Sequence, residues 1–510
     1  MNKVLKWIGA LVALAIIAWL GAITYSPDIH SAFLHTLKGV PQSKLPSGVT
    51  TTVVIENVTV IPMDSERIWE RHTVVITDGR IADIGQSGEI EIPAEAHVVD
   101  AEGKFLIPGL SDMHTHIWGA ENDLLLYLAN GVTTIRTMGS EPSVILDWRD
   151  EIRDGARIGP NIWAWWPAIE DTLSPFADSE WSEEWSSDGG VRFVHTPEEA
   201  EALVAEAAAL GVDGIKSHGI TSSDVYLALL KAANEHGLPF DSHIPIDTLD
   251  CWDCFREYES PAIAHLEELI KLKRTTDEDL RQIAQDAADD GLWVTTTLYL
   301  MHSINEQGAD LEGALAATTE SIYVHPNVFI EYGWALDTNW YTYTGSESFW
   351  PDYLANQNTL LPMLSESGVR LMSGTDTALP YLVPGFSLHQ ELEVMVDVGL
   401  SPYDVLKSST YNPALFLGEL DEFGTIEEGK RADMVLLDAN PLEDIANARQ
   451  ISGVMVRGRY FDRSDLDLML DLIVEDHEGF KTTNSIAKFA FPIMVILLIA
   501  GFIIWRRRAD

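Results

Sequence analysis

The chain has 510 residues, 46% hydrophobic and 22% charged, which is the balance of a globular protein large enough for two or three domains or one large barrel with an accessory unit. Its 79 acidic residues outnumber 33 Lys and Arg to give a net charge of −46. An excess of that size repels nucleic-acid phosphates and anionic membrane surfaces, so no nucleic-acid partner is expected, and the scattered acids read as a strongly solvated surface.

The first element is an apolar run, Trp7 to Tyr25, uncharged over 19 residues and about 28 Å long as a helix. A second, Phe489 to Trp505, has 17 residues near the other end. Lys3 and Lys6 precede the first and Arg506, Arg507 and Arg508 follow the second. Positive flanks stay cytoplasmic, so the pattern predicts one transmembrane helix at each end, both termini inside, and a periplasmic or extracellular catalytic domain on the cell (inner) membrane. Cleavage of the first run as a signal peptide near Gly21 and Ala22 is the alternative.

Between these runs the chain divides by pattern. Residues 1–26 form the anchor and 27–50 a turn-rich linker. Residues 51–107 hold short Val- and Ile-rich strands, with Asp78-Gly79 marking a hairpin. Residues 108–418 alternate apolar strands with Ala-rich helices such as 197–211, opened by the capping pair Thr196 and Glu199, and 222–237. Eight such strands predict an α/β fold, a (β/α)8 TIM-like barrel. Residues 419–463 return to strands, 464–487 read as a second linker and 488–508 as the C-terminal span. The barrel is interrupted by an acidic, Trp-rich insertion at 166–190 and an aromatic one at 300–358. The cysteines, Cys251 and Cys254, are too few for a structural zinc site, and a local disulfide and two free thiols fit equally well.

Barrel enzymes place their chemistry at the C-terminal ends of the strands. In this chain those ends carry His114 and His116 in SDMHTHI, Lys216 in GIKSHG, His243 in DSHIP, His265 in IAHLEE and Asp376 in SGTDT. Singly, each has an ordinary reading: a hydrogen-bonded histidine, a snorkelling lysine, a helix-capping aspartate. The ordered set points to metal ligation. His218, two residues after Lys216, replaces a ligand, contacts substrate or hydrogen-bonds behind the ligands.

The chain resembles the metal-dependent amidohydrolase superfamily, near its imidazolonepropionase-like and prolidase-like branch. The resemblance spans most of 51–465 and rests on VVDAEGKFLIPGLSDMHTHI, GVTTIRTMG, GVDGIKSHG, SGTDTAL and GTIEEGKRADMVLLDANPLEDI, in that order. It implies that the two strand-rich flanks join into a small β-sandwich beside the barrel. It also implies that His114, His116 and Asp376 hold one divalent metal ion and that His243 and His265 hold a second. Lys216, carbamylated, would bridge the two. With imidazole and carboxylate ligands and no thiolate, Zn2+ is the default, and Mn2+ or Co2+ are the alternatives. A metal-bridging hydroxide would attack an amide carbonyl while Asp376 moves the proton to the leaving nitrogen. The expected substrate is a small molecule, a dipeptide or an N-acyl amino acid. A mononuclear cyclic-amide hydrolase or deaminase, and a catalytically inactive membrane-tethered binding protein, are the competing readings. The sequence leaves the oligomeric state open.

Overall fold

A computed structural model describes residues 39–117, 120–140, 142–171, 190–245, 262–270, 276–326, 349–377, 379 and 381–481. The first strands are β1 (Val53–Val60), β2 (Trp69–Thr77), β3 (Arg80–Gln86), β4 (His97–Asp100) and β5 (Phe105–Pro108). The barrel strands follow: β6 (Leu110–Thr115), β7 (Val132–Met138), β8 (Asn161–Asp171), with β9 (Val191–Val194) beside it, β10 (Gly214–Ser217), β11 (Phe240–Ser242), β12 (Ala262–Ile263), β13 (Trp293–Thr295) and β14 (Arg370–Met372). Near the far end lie β15 (Met434–Leu437), β16 (Ile451–Val456) and β17 (Arg459–Asp462).

The barrel strands pair in parallel from β6 through β7, β8, β10, β11, β12 and β13 to β14. The segment after β14 then returns to β6: Met113 N–H donates to the Ser373 carbonyl and Asp376 N–H to that of His114, and Thr115 bridges Thr377. This makes a nearly closed barrel of eight parallel strands, with helices outside. Two helices show why the chain folds this way. Thr196 caps Pro197–Leu210 by accepting from the Glu199 N–H, and Gly211 and Gly237 end that helix and Ser223–His236 in the left-handed region, where glycine is unstrained.

The two flanks share one continuous sheet, joined where β15 runs antiparallel to β5 with Met434 opposite Pro108 and Leu437 opposite Phe105. The two flanks are thus hydrogen-bonded into one eight-stranded unit, in which β1 pairs with β2 on one side and with β4 and β5 in succession on the other. Val53, Ile55, Val58, Val74, Ile76, Met434 and Leu436 form its own apolar core.

The expected C-terminal linker is instead helical over 463–481. Leu466, Met469 and Ile473 recur at helical spacing and are buried in the barrel's hydrophobic core, and the dense acids between them occupy the outer face.

The membrane assignment is corrected. Among the described residues no helix is long and apolar enough to cross a membrane. A span needs about 20 predominantly apolar residues, whereas the helix over 463–481 carries Asp465, Asp467, Asp471, Glu475, Asp476 and Glu478. The two apolar runs, 7–25 and 489–505, lie outside the described residues, as do Cys251 and Cys254. Transmembrane anchoring and the extracytoplasmic location inferred from it are not carried forward.

Candidate metal centre

The strand ends bring together all the residues singled out at them. His114 and Asp376 sit on either side of the barrel closure, with His114 Nε2 3.3 Å from Asp376 Oδ1, and His116 Nε2 lies 2.9 Å from the same oxygen. The His114 and His265 rings are 4.3 Å apart between centroids, those of His243 and His265 4.7 Å, and those of His218 and His243 4.5 Å. His114, His265 and Asp376 each offer a ligand atom, all within 4.8 Å of one another, and all three residues are buried.

Close backbone approach makes this possible. A Cβ added to Gly374 would stand 2.6 Å from Thr295 Cγ2 and 2.9 Å from His114 Cβ, so only glycine lets the strand after β14 lie against β6 and β13. Two residues on, Asp376 has φ +58°. That conformation is costly for a residue with a side chain, and it is held by the hydrogen bonds of the closure.

Electrostatics prepare the group for a cation. Burial holds His114 and His265 well below the ordinary imidazole range, and their mutual proximity and Lys216 lower His114 further. Both rings are thereby shifted toward the neutral form, which carries the ring-nitrogen lone pair that ligates a metal. Burial would raise Asp376, but the His116 hydrogen bond and the nearby His265 and Lys216 outweigh it and bring its carboxyl to about 2. Lys216 is 1% exposed and its Nζ has no hydrogen-bond partner among the described residues. Burial lowers its amine to about 8, against the opposing pull of Asp241 and Asp376. A buried amine with nothing to donate to is expensive, and a buried Nδ1 of His114 is likewise without a partner. The donor set, imidazoles with one carboxylate and one amine near neutrality, fits divalent metal ions.

Several supporting side chains escaped the sequence reading. Glu268 Oε1 lies 2.8 Å from His243 Nδ1, and Glu170 pairs with His218 Nδ1. Asp112 accepts from Thr375 Oγ1 at 2.6 Å and from the His114 N–H at 3.2 Å, and burial raises its carboxyl to about 7. Under the site, Arg136 Nη2 meets Asp241 Oδ2 at 2.7 Å with both side chains fully buried, while the guanidinium lies 4.5 Å from the Trp165 ring centre. The available signal for these was an acid or arginine inside an otherwise apolar strand, or, for Glu268, an acid three residues after a candidate ligand. Parts of both insertions, 172–189 and 327–348, lie outside the described residues.

The chain is 23% identical over 420 residues to an imidazolonepropionase of Caldanaerobacter subterraneus subsp. tengcongensis, covering 74% of this chain and 87% of that one. Among solved structures it resembles a Xaa-Pro dipeptidase with bound methionine in the active site, at TM-score 0.63 and 20% identity over 81% of this chain and all of that one. It also resembles the bottromycin amidohydrolase, at TM-score 0.64 and 21% identity over 89% and 94% of the two chains. The Amidohydrolase family profile matches residues 105–460, and the chain belongs to that family of hydrolases acting on carbon–nitrogen bonds.

Proposed function

We propose that the protein is a binuclear metal-dependent amidohydrolase that cleaves the amide C–N bond of a dipeptide or N-acyl amino acid. The observation that carries this reading is Lys216: a buried amine without a hydrogen-bond partner among the described residues, lowered to about 8, beside the linked rings of His116, His114, His265, His243 and His218 and the carboxylate of Asp376. Near neutral pH a fraction of that amine is unprotonated, and a neutral amine adds carbon dioxide to give a carbamate and a released proton. The carbamate turns a cation that would repel metals into an anionic oxygen ligand.

In this reading His114, His116 and Asp376 would hold one ion and His243 and His265 the other, with carbamylated Lys216 as a ligand shared between them. Bound divalent ions would lower the pKa of a water nucleophile toward neutrality and polarise the substrate carbonyl. The chain's own contribution is proton transfer and orientation. Asp376 presents an ionised carboxylate at the mouth of the barrel, and its Oδ atoms can take the proton from the attacking water and pass it to the departing nitrogen. Glu268 fixes the ring of His243 through its Nδ1, which leaves Nε2 as the ligating atom. Zinc is the proposed metal, and the dipeptide class is supported by the fold shared with a Xaa-Pro dipeptidase.

A mononuclear cyclic-amide hydrolase is the second reading, favoured by the compactness of the His114, His265 and Asp376 triad, which alone could hold one ion. The test is a hydrolysis screen of the zinc-, manganese- and cobalt-loaded protein against dipeptides, N-acyl amino acids, cyclic amides and lactones. Release of free amine from the first two classes is expected; turnover of cyclic amides alone would favour the second reading.

A further inference from the structure

Helix Leu298–Ala309 follows β13, and its N-cap residue, Thr297, does not cap it. Thr297 is fully buried and held at φ +42°, a left-handed conformation that is a true outlier for a β-branched residue. Its hydroxyl is turned the other way, 2.9 Å from Nδ1 of His265. The first N–H groups of the helix, those of Leu298 and Tyr299, would then be orphaned in the interior. They are satisfied from another element. Glu391, on helix Phe386–Asp397 and completely buried, accepts from Leu298 N–H at 3.0 Å and Tyr299 N–H at 2.6 Å, and also from the Thr296 hydroxyl.

We infer that Glu391 is a positioning residue for His265, acting through Thr297. By taking over the capping of the helix and gripping Thr296 on the other side, its carboxylate fixes the strained turn between them. That frees the Thr297 hydroxyl to accept the proton on Nδ1 of His265, which sets the tautomer and leaves the Nε2 lone pair facing the strand-end cluster. A cap from Thr297 itself would satisfy the helix and abandon His265. The strain at Thr297 persists because three acceptor contacts from Glu391 over-determine the turn. This inference rests on the metal-centre reading above.

The test uses the full chain reconstituted with cobalt, whose visible absorption reports ligand geometry directly. Thr297→Val keeps the shape and removes the hydroxyl; Thr297→Ser keeps the hydroxyl; Glu391→Gln keeps the size and removes the charge. The valine and glutamine variants are each expected to bind cobalt about 10- to 100-fold more weakly, with an altered spectrum, while the serine variant keeps wild-type spectrum and affinity. The double variant Thr297→Val with Glu391→Gln is expected to be no weaker than the worse single one, because both act on the same linkage. Wild-type cobalt binding in Thr297→Val, or a double variant whose losses multiply, would overturn the inference and leave the metal reading standing. So would a Glu391→Gln variant that melts lower with an unchanged spectrum. A wild-type chain that takes up no cobalt would overturn both.

Discussion

Inside the barrel, Arg136, Asp241, Lys216, Asp112 and Asp376 are buried at or beside the strand ends, whereas the equivalent layer of the flanking sheet is Val53, Ile55, Val58, Val74, Ile76 and Met434. Both regions are built from short, interior-facing strands, but they spend their interiors differently. The flanking sheet gains what apolar burial gives, roughly 25 cal/mol per Å2 removed from water. The barrel accepts the cost of burying polar groups, some of them without partners, such as Lys216 Nζ and His114 Nδ1. A region that leaves such groups unsatisfied is one whose stability and activity both depend on what binds there, and the contrast with the sheet can be broken experimentally.

The largest effect is expected at Asp376. Asp376→Asn should lower kcat/KM by about 10²- to 10⁴-fold while the protein remains folded by circular dichroism. The matching change in the sheet, Ile55→Ala, should lower stability by about 2–5 kcal/mol in denaturant titration and leave kcat of the folded fraction unaltered. If Ile55→Ala abolished turnover without unfolding, the two regions would not be functionally separate.

Metal removal should act on the barrel alone. Restoring a divalent ion to chelated protein at about 100 times its dissociation constant should stabilise the fold by about 2.7 kcal/mol. Hydrogen exchange should show the added protection at the ends of β6, β10 and β11, with β1 and β2 unchanged. Protection spread equally over both sheets would remove the distinction.

The smallest effect concerns His389, which is buried outside the ligand cluster with Nε2 donating to the Asn130 carbonyl at 2.9 Å. Burial lowers it to about 4. Between the unfolded value near 6.5 and about 4, the unfolded chain binds a proton that the native one does not, so stability falls as pH falls through that window. Across the upper edge of that window, from about pH 6.5 to about pH 6, wild type should lose under about 1 kcal/mol of stability that His389→Gln does not lose. An identical slope in both proteins would assign it elsewhere.

The legible parts of this molecule were those encoded locally. Strand and helix periodicity marked the eight barrel strands, and His114, His116, Lys216, His243, His265 and Asp376 each stood at the end of one. The helix over 463–481 was obscured because its acids masked a stripe of Leu466, Met469 and Ile473 whose partners lie in the barrel. The supporting shell was harder still. Glu391 meets Thr296 across 95 positions of sequence, and Thr375 meets Asp112 across 263. No spacing rule links residues brought together only by barrel closure, so their roles emerge from the fold. The apolar runs at 7–25 and 489–505 lie outside the described residues, and among the described helices none is long and apolar enough to cross a membrane.

Lys216 is proposed to join two histidine groups into one binuclear site. This is tested most directly by elemental analysis and hydrolysis assays on wild type and Lys216→Ala, purified side by side with zinc and bicarbonate present. About two ions per chain are expected in the wild type, with loss of both metal and turnover in the variant. A Lys216→Ala protein that retained full activity with about one ion per chain would contradict it.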